Sequence, residues 1–246
     1  VERLGHTAEP RAVSLIAIHP HGLPTDFPPA AIREAQHAAV PSLTGRSDLR
    51  GIPLVTIDGA DARDFDDAVW AEPDGDPANE GGWHLLVAIA DVAYYVRPGS
   101  ALDRGAYERG NSVYFPDRVV PMLPEALSND LCSLRPNEDR ACFAVHLWID
   151  RHGVLRRHQF VRGLMRSAAR LTYEQVQVAR DGTPDEVTEP LLDPVLTPLY
   201  GAYDCLWAAR RRRGTLDLDL PERRVRLDEH GRVAEITPRE RLDSHR

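Results

Sequence analysis

Short apolar segments alternate with polar loops along the chain and predict that a β-sheet forms its centre. Each segment is brief, is rich in β-branched residues or alternates apolar with polar positions, and is bounded by turn-forming residues, which is typical of strands. The last two segments flank the turn His152-Gly153 and are expected to pair as a hairpin. The predicted strands are residues 13–19, 54–58, 83–91, 142–150 and 154–162.

Helices are predicted between and after these strands. Pro28 suits the first turn of one helix, Ser100 suits the N-cap of the next, and Gly214 suits the C-terminal end of the last. The polar stretch 41–53 is predicted to be a linker. The predicted helices are 28–40, 100–110, 172–180 and 191–213, and a hairpin is predicted at 223–236.

The composition excludes several classes of function. All 30 basic residues among the 246 are Arg, and 38 acidic residues give a net charge of −8. A chain without Lys forms no Schiff base and supplies no phosphate-loop lysine. A net negative chain is also unlike a basic protein that coats nucleic acid, so the distribution of the charge becomes the important question.

Half of the net charge lies in one loop that directly follows the predicted strand 54–58. Residues 58–67 contain five Asp and one Arg. Crowded carboxylates repel one another unless a cation offsets their charge, and oxygen ligands favour Mg²⁺, with Mn²⁺ as a second possibility. The absence of His and Cys argues against zinc, and the spacing fits no EF-hand. The loop is therefore either a carboxylate-held metal site for phosphoryl transfer or a solvated acidic turn.

Basic residues are concentrated in a second segment. Residues 151–173 contain six Arg, two His and no acidic residue. A guanidinium group can bind a phosphate through two parallel hydrogen bonds, so this stretch is a candidate track for a nucleic-acid backbone. The alternative is a solvated strand edge. The Arg residues singled out as RNA-binding candidates are Arg156, Arg157, Arg162 and Arg166.

Longer motifs bring in a resemblance to a known family. The sequence TIDGADARDFDDAVW at 56–70 resembles the catalytic signature of the ribonuclease II family, also called the RNB family. Residues 84–134 and 211–222 resemble further motifs of that family, in the same order. Residues 14–28 resemble the segment that joins the last cold-shock domain to the catalytic domain in bacterial members.

The resemblance implies a fold and a division into domains. We expect an α+β fold in which helices pack on a mixed or antiparallel sheet. Residues 1–27 are expected to be the end of an OB-like cold-shock domain, 28–52 a helix and linker, and 53–246 the N-terminal part of the catalytic domain. Because the family's catalytic domain continues further and is flanked by RNA-binding domains, the chain is expected to be a fragment.

The resemblance also implies an activity and its residues. Members of the family are Mg²⁺-dependent enzymes that processively degrade RNA from a single-stranded 3′ end to nucleoside 5′-monophosphates. Their four catalytic, metal-binding aspartates correspond to Asp58, Asp64, Asp66 and Asp67, which leaves Asp61 outside the set. Their tyrosine that packs on the nucleotide corresponds to Tyr114, and an aromatic ring can stack on any base.

Two other interpretations of function stay open from the residues alone. One is a non-catalytic RNA-binding fragment of the same family, and the other is an acidic metal-binding module unrelated to RNA. Three scattered Cys, no signal-peptide pattern and no apolar run of membrane-spanning length favour a cytoplasmic protein with no membrane partner. The longer parent protein is expected to be a monomer.

Overall fold

The computed structural model describes residues 10–218 and 220–245, so residues 1–9 of the expected cold-shock segment lie outside it. The described α-helices are α1 Pro10–Ile18, α2 Pro29–His37, α3 Val92–Tyr95, α4 Ala101–Arg109, α5 Tyr173–Arg180, α6 Glu189–Leu191 and α7 Thr197–Arg212. The described strands are β1 Ser47–Asp48, β2 Val55–Asp58, β3 Asp67–Pro73, β4 Trp83–Ala90, β5 Val113–Tyr114, β6 Val119–Val120, β7 Asp139–Ile149, β8 Leu155–Arg166, β9 Ala169–Thr172, β10 Arg223–Leu227 and β11 Val233–Pro238.

A seven-stranded mixed sheet forms the centre of the fold, as expected for the α+β class. Its strand order is β1-β8-β7-β4-β3-β2-β9, with two further two-stranded pairs, β5-β6 and β10-β11. The pairs β1-β8 and β2-β9 are parallel, and the other neighbours are antiparallel. The strands predicted at 54–58, 83–91, 142–150 and 154–162 are confirmed.

The strand predicted at 13–19 is wrong, because these residues lie mostly in helix α1. Ser14 and Ile18, one helical turn apart, are both buried, while Ile16 between them is 51% exposed. In a strand all three side chains would point to one face. A short apolar run fits a strand or the buried side of a helix equally well, and packing decides between them.

The predicted helices are confirmed, with changes at their ends. The Ser100 hydroxyl accepts a hydrogen bond from the Asp103 backbone N–H at 3.1 Å and caps α4. Thr172 and Gln175 form a reciprocal capping box that begins α5. The helix predicted over 191–213 is composite, since one π-helical segment, Leu192–Leu196, precedes α7.

Two compact units share the chain. The first consists of the described residues of 1–37 with 96–125 and 218–241. In this unit α2 packs on α4, and the Glu34 carboxylate accepts hydrogen bonds from the backbone N–H groups of Ala101 and Leu102. The second, 38–95 with 126–217 and 242–246, contains the large sheet. The domain boundaries expected from the resemblance stay a prediction.

The core of the second unit forms where helices cover one face of the sheet. Ala202 of α7 packs with Ala71, Leu85 and Ile149, so we call this side the α7 face. A second cluster joins β2 and β9 to α5 and the π-helical segment; its buried members are Val55, Ala169, Leu171, Val176, Ala179, Val195 and Leu196. The described helices include none that is long and apolar enough to cross a membrane.

Candidate active site

The acidic loop is fixed at both ends by the sheet. Its first carboxylate belongs to Asp58, the last residue of β2, which pairs in register with Thr172 of β9. Its last belongs to Asp67, the first residue of β3, which pairs with Ile89 of β4. The loop therefore crosses from one strand to its antiparallel neighbour at one edge of a rigid scaffold, and this placement favours a precise site.

The four predicted aspartates act on one another electrostatically. Burial raises the pKa of Asp58 to about 6, with further increases from the carboxylates of Asp67, Asp66 and Asp64. Burial also raises the pKa of Asp66, and the charges of Asp64 and Asp67 add to that effect. Burial alone raises the pKa of Asp67. The structure thus brings these four carboxylates within electrostatic range of one another.

The chemistry of these side chains fits a hard divalent cation. All four donors are carboxylates, and Oδ2 of Asp58 is buried without a hydrogen-bond partner, which is costly unless the oxygen binds something. Because a cation would lower the raised pKa values, it would stabilise the ionised form of the set. As the side chains stand, the described residues include no group of three or more His, Cys, Asp or Glu side chains arranged to hold a metal ion.

Phe65 anchors the far end of the loop. Its backbone N–H donates to Ser133 Oγ at 3.1 Å, and its carbonyl accepts the Leu134 N–H at 2.8 Å. Both partners are fully buried, and the Phe65 ring is 8% exposed. Residues 127–134, which belong to a segment that resembles a family motif, therefore hold Phe65 and with it the end of the acidic loop. Cys132 of the same segment lies near Asp66, and its thiol pKa is raised to about 12, mainly by burial and further by that carboxylate.

The four RNA-binding Arg candidates all lie on β8, but they do not form one track. Arg157 pairs in register with Trp148 and its guanidinium stacks on that ring, 3.6 Å from the ring centroid. Arg162 and Arg166 point to the other face because side chains alternate along a strand. Arg166 bonds Asp139 at 2.7 Å, and Arg156, beside a bulge, bonds Asp150 at 3.1 Å.

Arg162 is the candidate on the same face as Asp67, the last carboxylate of the acidic loop. The register runs from Asp67 through Ile89 and Phe143 to Arg162, so these four side chains form one row across the α7 face. Three interstrand spacings separate the ends of the row by about 14 Å. Ile89 and Phe143 are about half exposed, so the row is open to solvent between its acidic and basic ends.

Tyr114 is the last residue of β5 and belongs to the first unit, whereas the four aspartates belong to the second. Its side chain is 65% exposed, so its ring is accessible to a ligand. Its role stays a prediction.

Sequence reasoning missed one residue of the site, Arg170 of β9. In the sequence it is one member of the basic stretch 151–173, yet its Nη2 donates to carbonyl groups of the acidic loop. No local sequence signal marks it, because its link to the loop depends on the pairing of β9 with β2, in which Thr172 is the register partner of Asp58. A parallel pairing between strands more than 100 residues apart is not visible in a single sequence.

Comparison with known proteins decides the family. A family model for the RNB domain matches residues 46–246. The chain belongs to the RNB family. Ribonuclease R of Vibrio parahaemolyticus is 44% identical over the whole chain, which covers 30% of that protein.

Solved RNB structures have the same fold. Mycoplasma genitalium RNase R in complex with ribose-methylated single-stranded RNA matches with a TM-score of 0.90 at 27% identity, over 98% of this chain and 37% of that one. The same protein in complex with double-stranded RNA matches with a TM-score of 0.88 at 28% identity, over 96% of this chain and 42% of that one. The chain thus spans about 30% of the length of the curated RNB relative.

Proposed function

We propose that this chain carries the acidic catalytic centre of a metal-dependent 3′→5′ exoribonuclease that processively releases nucleoside 5′-monophosphates from RNA. The observation that carries the proposal is the set Asp58, Asp64, Asp66 and Asp67, gathered where β2 and β3 meet, in an RNB chain. Mg²⁺ is the proposed ion, and Mn²⁺ is a possible substitute because both prefer oxygen ligands.

The four carboxylates would hold the ion, which when bound supplies an activated water and offsets charge on the phosphate. The charge of the four carboxylates also controls whether RNA can approach the site. Ionised carboxylates repel a phosphodiester, so the set admits RNA only when its charge is offset. Because the pKa of Asp58 is raised to about 6 when no ion is bound, protons and the ion compete for this carboxylate, and we expect the Mg²⁺ concentration that gives half-maximal cleavage to rise as the pH falls towards 6.

RNA would be held by groups outside the acidic set. We propose that the exposed ring of Tyr114 stacks on a nucleotide near the single-stranded 3′ end. Arg162 is the best placed of the β8 candidates because it shares a face with Asp67. Arg156, Arg157 and Arg166 are proposed as weaker phosphate contacts, since each has a closer acidic or aromatic partner than Arg162 has in Asp91, 3.9 Å away. We further propose a monomeric, cytoplasmic parent with no membrane partner.

The substitution Asp66→Asn tests the catalytic role. It removes one charge from the set and preserves the shape of the side chain, so we expect the release of mononucleotides from a uniformly labelled single-stranded RNA in Mg²⁺ to stop. RNA affinity should stay within about threefold of the wild type, because the proposed phosphate contacts lie elsewhere. The matched control is Asp61→Asn, which changes the same charge in the same loop outside the set.

The outcomes separate the competing functions. Mononucleotide release by the wild type and by Asp61→Asn, but not by Asp66→Asn, supports the exoribonuclease. RNA binding without release by the wild type would favour a non-catalytic RNA-binding role. If the wild type does not bind RNA even at low salt, both RNA-related functions are excluded and the metal-binding module remains as the interpretation.

A further inference from the structure

Arg170 occupies a position that its place in the basic stretch does not suggest. It lies on β9 in register with Thr56 of β2, beside the strand that ends at Asp58. Its Nη2 is 3.1 Å from the Ala60 carbonyl oxygen, 3.2 Å from that of Ala62 and 3.5 Å from that of Gly59. The guanidinium group therefore faces the backbone of the acidic loop.

Through these contacts the first half of the loop wraps around the Arg170 guanidinium group. The Ala62 N–H donates to the Gly59 carbonyl at 3.0 Å, so the chain turns back on itself and brings its carbonyl groups to one side. A guanidinium group is planar and permanently charged, and it can serve several acceptors at once. All three carbonyl contacts are made by Nη2, so an ammonium group could replace the charge here, but it would lack the planar group that also lies over the Phe65 ring.

The same side chain also contacts the second half of the loop. The Arg170 guanidinium carbon lies 4.8 Å from the centroid of the Phe65 ring. Phe65 is in turn tied to Ser133 and Leu134 through its backbone N–H and carbonyl. Arg170 thus connects the turn at 59–62 to the anchor at Phe65, and Asp64 and Asp66 flank that anchor.

We propose that Arg170 is a positioning residue for the catalytic carboxylates and not a phosphate-binding residue. It holds the loop between β2 and β3 in the conformation in which Asp58, Asp64, Asp66 and Asp67 gather, and its positive charge reduces the repulsion among them. The inference rests on the proposed function for the importance of these four residues, but the loop-holding role itself rests on the contacts of Arg170.

Two substitutions test the proposal. Arg170→Met removes the charge and the donors and keeps much of the side-chain length, while Arg170→Lys keeps the charge and removes the planar fork. The control is Arg180→Met, because Arg180 is likewise partly buried, stacks on Tyr200 at 4.2 Å and makes two ion pairs, yet contacts α7 and the segment after residue 241. Thermal unfolding of all variants shows whether each remains folded.

Hydrogen exchange of the backbone amides at 59–66 is the first measurement, and it needs no metal. We expect Arg170→Met to exchange at least about tenfold faster in this loop, with unchanged protection in β4 and β7. Arg180→Met should leave the loop at its wild-type rate. Wild-type protection of the loop in Arg170→Met would overturn the proposal.

Mn²⁺ binding followed by electron paramagnetic resonance is the second measurement, because a purely structural role would not change the metal affinity of the folded fraction. We expect the half-saturating Mn²⁺ concentration to rise about tenfold in Arg170→Met, less in Arg170→Lys and not in Arg180→Met. Unchanged affinity in a loosened loop would overturn the positioning role. No Mn²⁺ binding by the wild type would instead contradict the proposed function, and hydrogen exchange would still decide whether Arg170 holds the loop.

Discussion

Asp58 shows how one residue can be costly for the fold and useful for the site. It ends a buried strand, its Oδ2 is buried without a hydrogen-bond partner, and three neighbouring carboxylates act on it. In the absence of a cation the ionised form is therefore disfavoured in the folded protein. Natural proteins keep such groups at functional sites, where binding compensates for the cost.

This cost predicts a pH dependence of stability. The folded-state pKa of Asp58, about 6, exceeds the ordinary value of 3.8, so between these values the folded protein binds more protons than the unfolded chain. The contribution of Asp58 to the free energy of unfolding therefore falls as the pH rises from 4 towards 6 and stays low above it. Asp58→Asn removes this contribution.

Urea unfolding in a metal chelator measures it. At pH 7.5 we expect Asp58→Asn to exceed the wild type in free energy of unfolding by an amount on the order of 1 kcal/mol, and the difference should shrink towards pH 5. Adding Mg²⁺ at pH 7.5 should stabilise the wild type more than the variant, because the ion binds the ionised carboxylate. Parallel curves for the two proteins would contradict the assigned origin of the raised pKa.

At the scale of single elements, strand β8 decides which Arg residues can act together. Because side chains alternate between the two faces of a strand, Arg157 points to one face and Arg162 to the other, although both belong to one stretch without acidic residues. The Arg157 guanidinium stacks on Trp148, while the Arg162 side chain is 50% exposed and its nearest acid, Asp91, is 3.9 Å away. A basic stretch in the sequence thus becomes separate positive groups in the fold.

A comparison of two substitutions tests this difference. Arg162→Ala should weaken the binding of single-stranded RNA about threefold to tenfold and reduce the salt dependence of binding by about one released counterion. Arg157→Ala should have a smaller effect, because its guanidinium is already engaged by the Trp148 ring. Filter binding over a range of salt concentrations measures both, and an equal loss in the two variants would contradict the assignment of faces.

The turn between β7 and β8 requires a glycine at position 153. Gly153 has φ +70°, and a Cβ there would lie 2.4 Å from the Cys205 carbonyl oxygen and 2.9 Å from Ala209 Cβ of α7. The turn and the helix therefore pack backbone against backbone, which only Gly allows.

Gly153→Ala should consequently lower the free energy of unfolding by about 2 kcal/mol or more, since backbone strain and a clash with the main chain add together. Gly214→Ala is the matched control, because Gly214 has φ +68° and open space around the missing Cβ. That variant should lose only about 1 kcal/mol from the left-handed conformation. Urea unfolding compares the two, and equal losses would exclude the clash as a cause.

At the scale of the whole molecule, the net charge of −8 gives little information about ligands. Half of it lies in the loop 58–67, where a divalent cation would offset it. Other positive side chains lie away from this loop, among them Arg162 at the far end of the row from Asp67, whereas Arg170 faces the loop. Charge separated in this way suits a protein that must bind a polyanion and bring one phosphate close to carboxylates.

The α7 face also has large apolar side chains that are exposed to solvent next to this row. Ile89, Phe143 and Phe160 are about half exposed on the α7 face, and the two Phe rings stack with centroids 5.7 Å apart. Helix α7 covers only the other end of this face, near Ala71 and Leu85. The chain spans about 30% of the length of the curated RNB relative from Vibrio parahaemolyticus.

Much of the fold and the acidic site could be predicted because local signals were strong. Strands such as 83–91 and the cap at Ser100 follow from side-chain pattern and backbone hydrogen bonding, which act over a few residues. The exception was 13–19, where burial by distant residues decided between a strand and helix α1. The crowding of carboxylates was visible because five Asp lie within ten residues, whereas the choice of four of them followed from the family resemblance and stays a prediction.

The sequence by itself determined the family, the main elements and the crowding of carboxylates between Asp58 and Asp67. Only the tertiary structure decided which charged groups share a face, since that depends on the register of β3, β4, β7 and β8. It also decided that Arg170 faces the acidic loop, because the parallel pairing of β2 with β9 brings together residues more than 100 positions apart. Local sequence fixes local geometry, whereas the partner of a strand is chosen by the packing of the whole sheet.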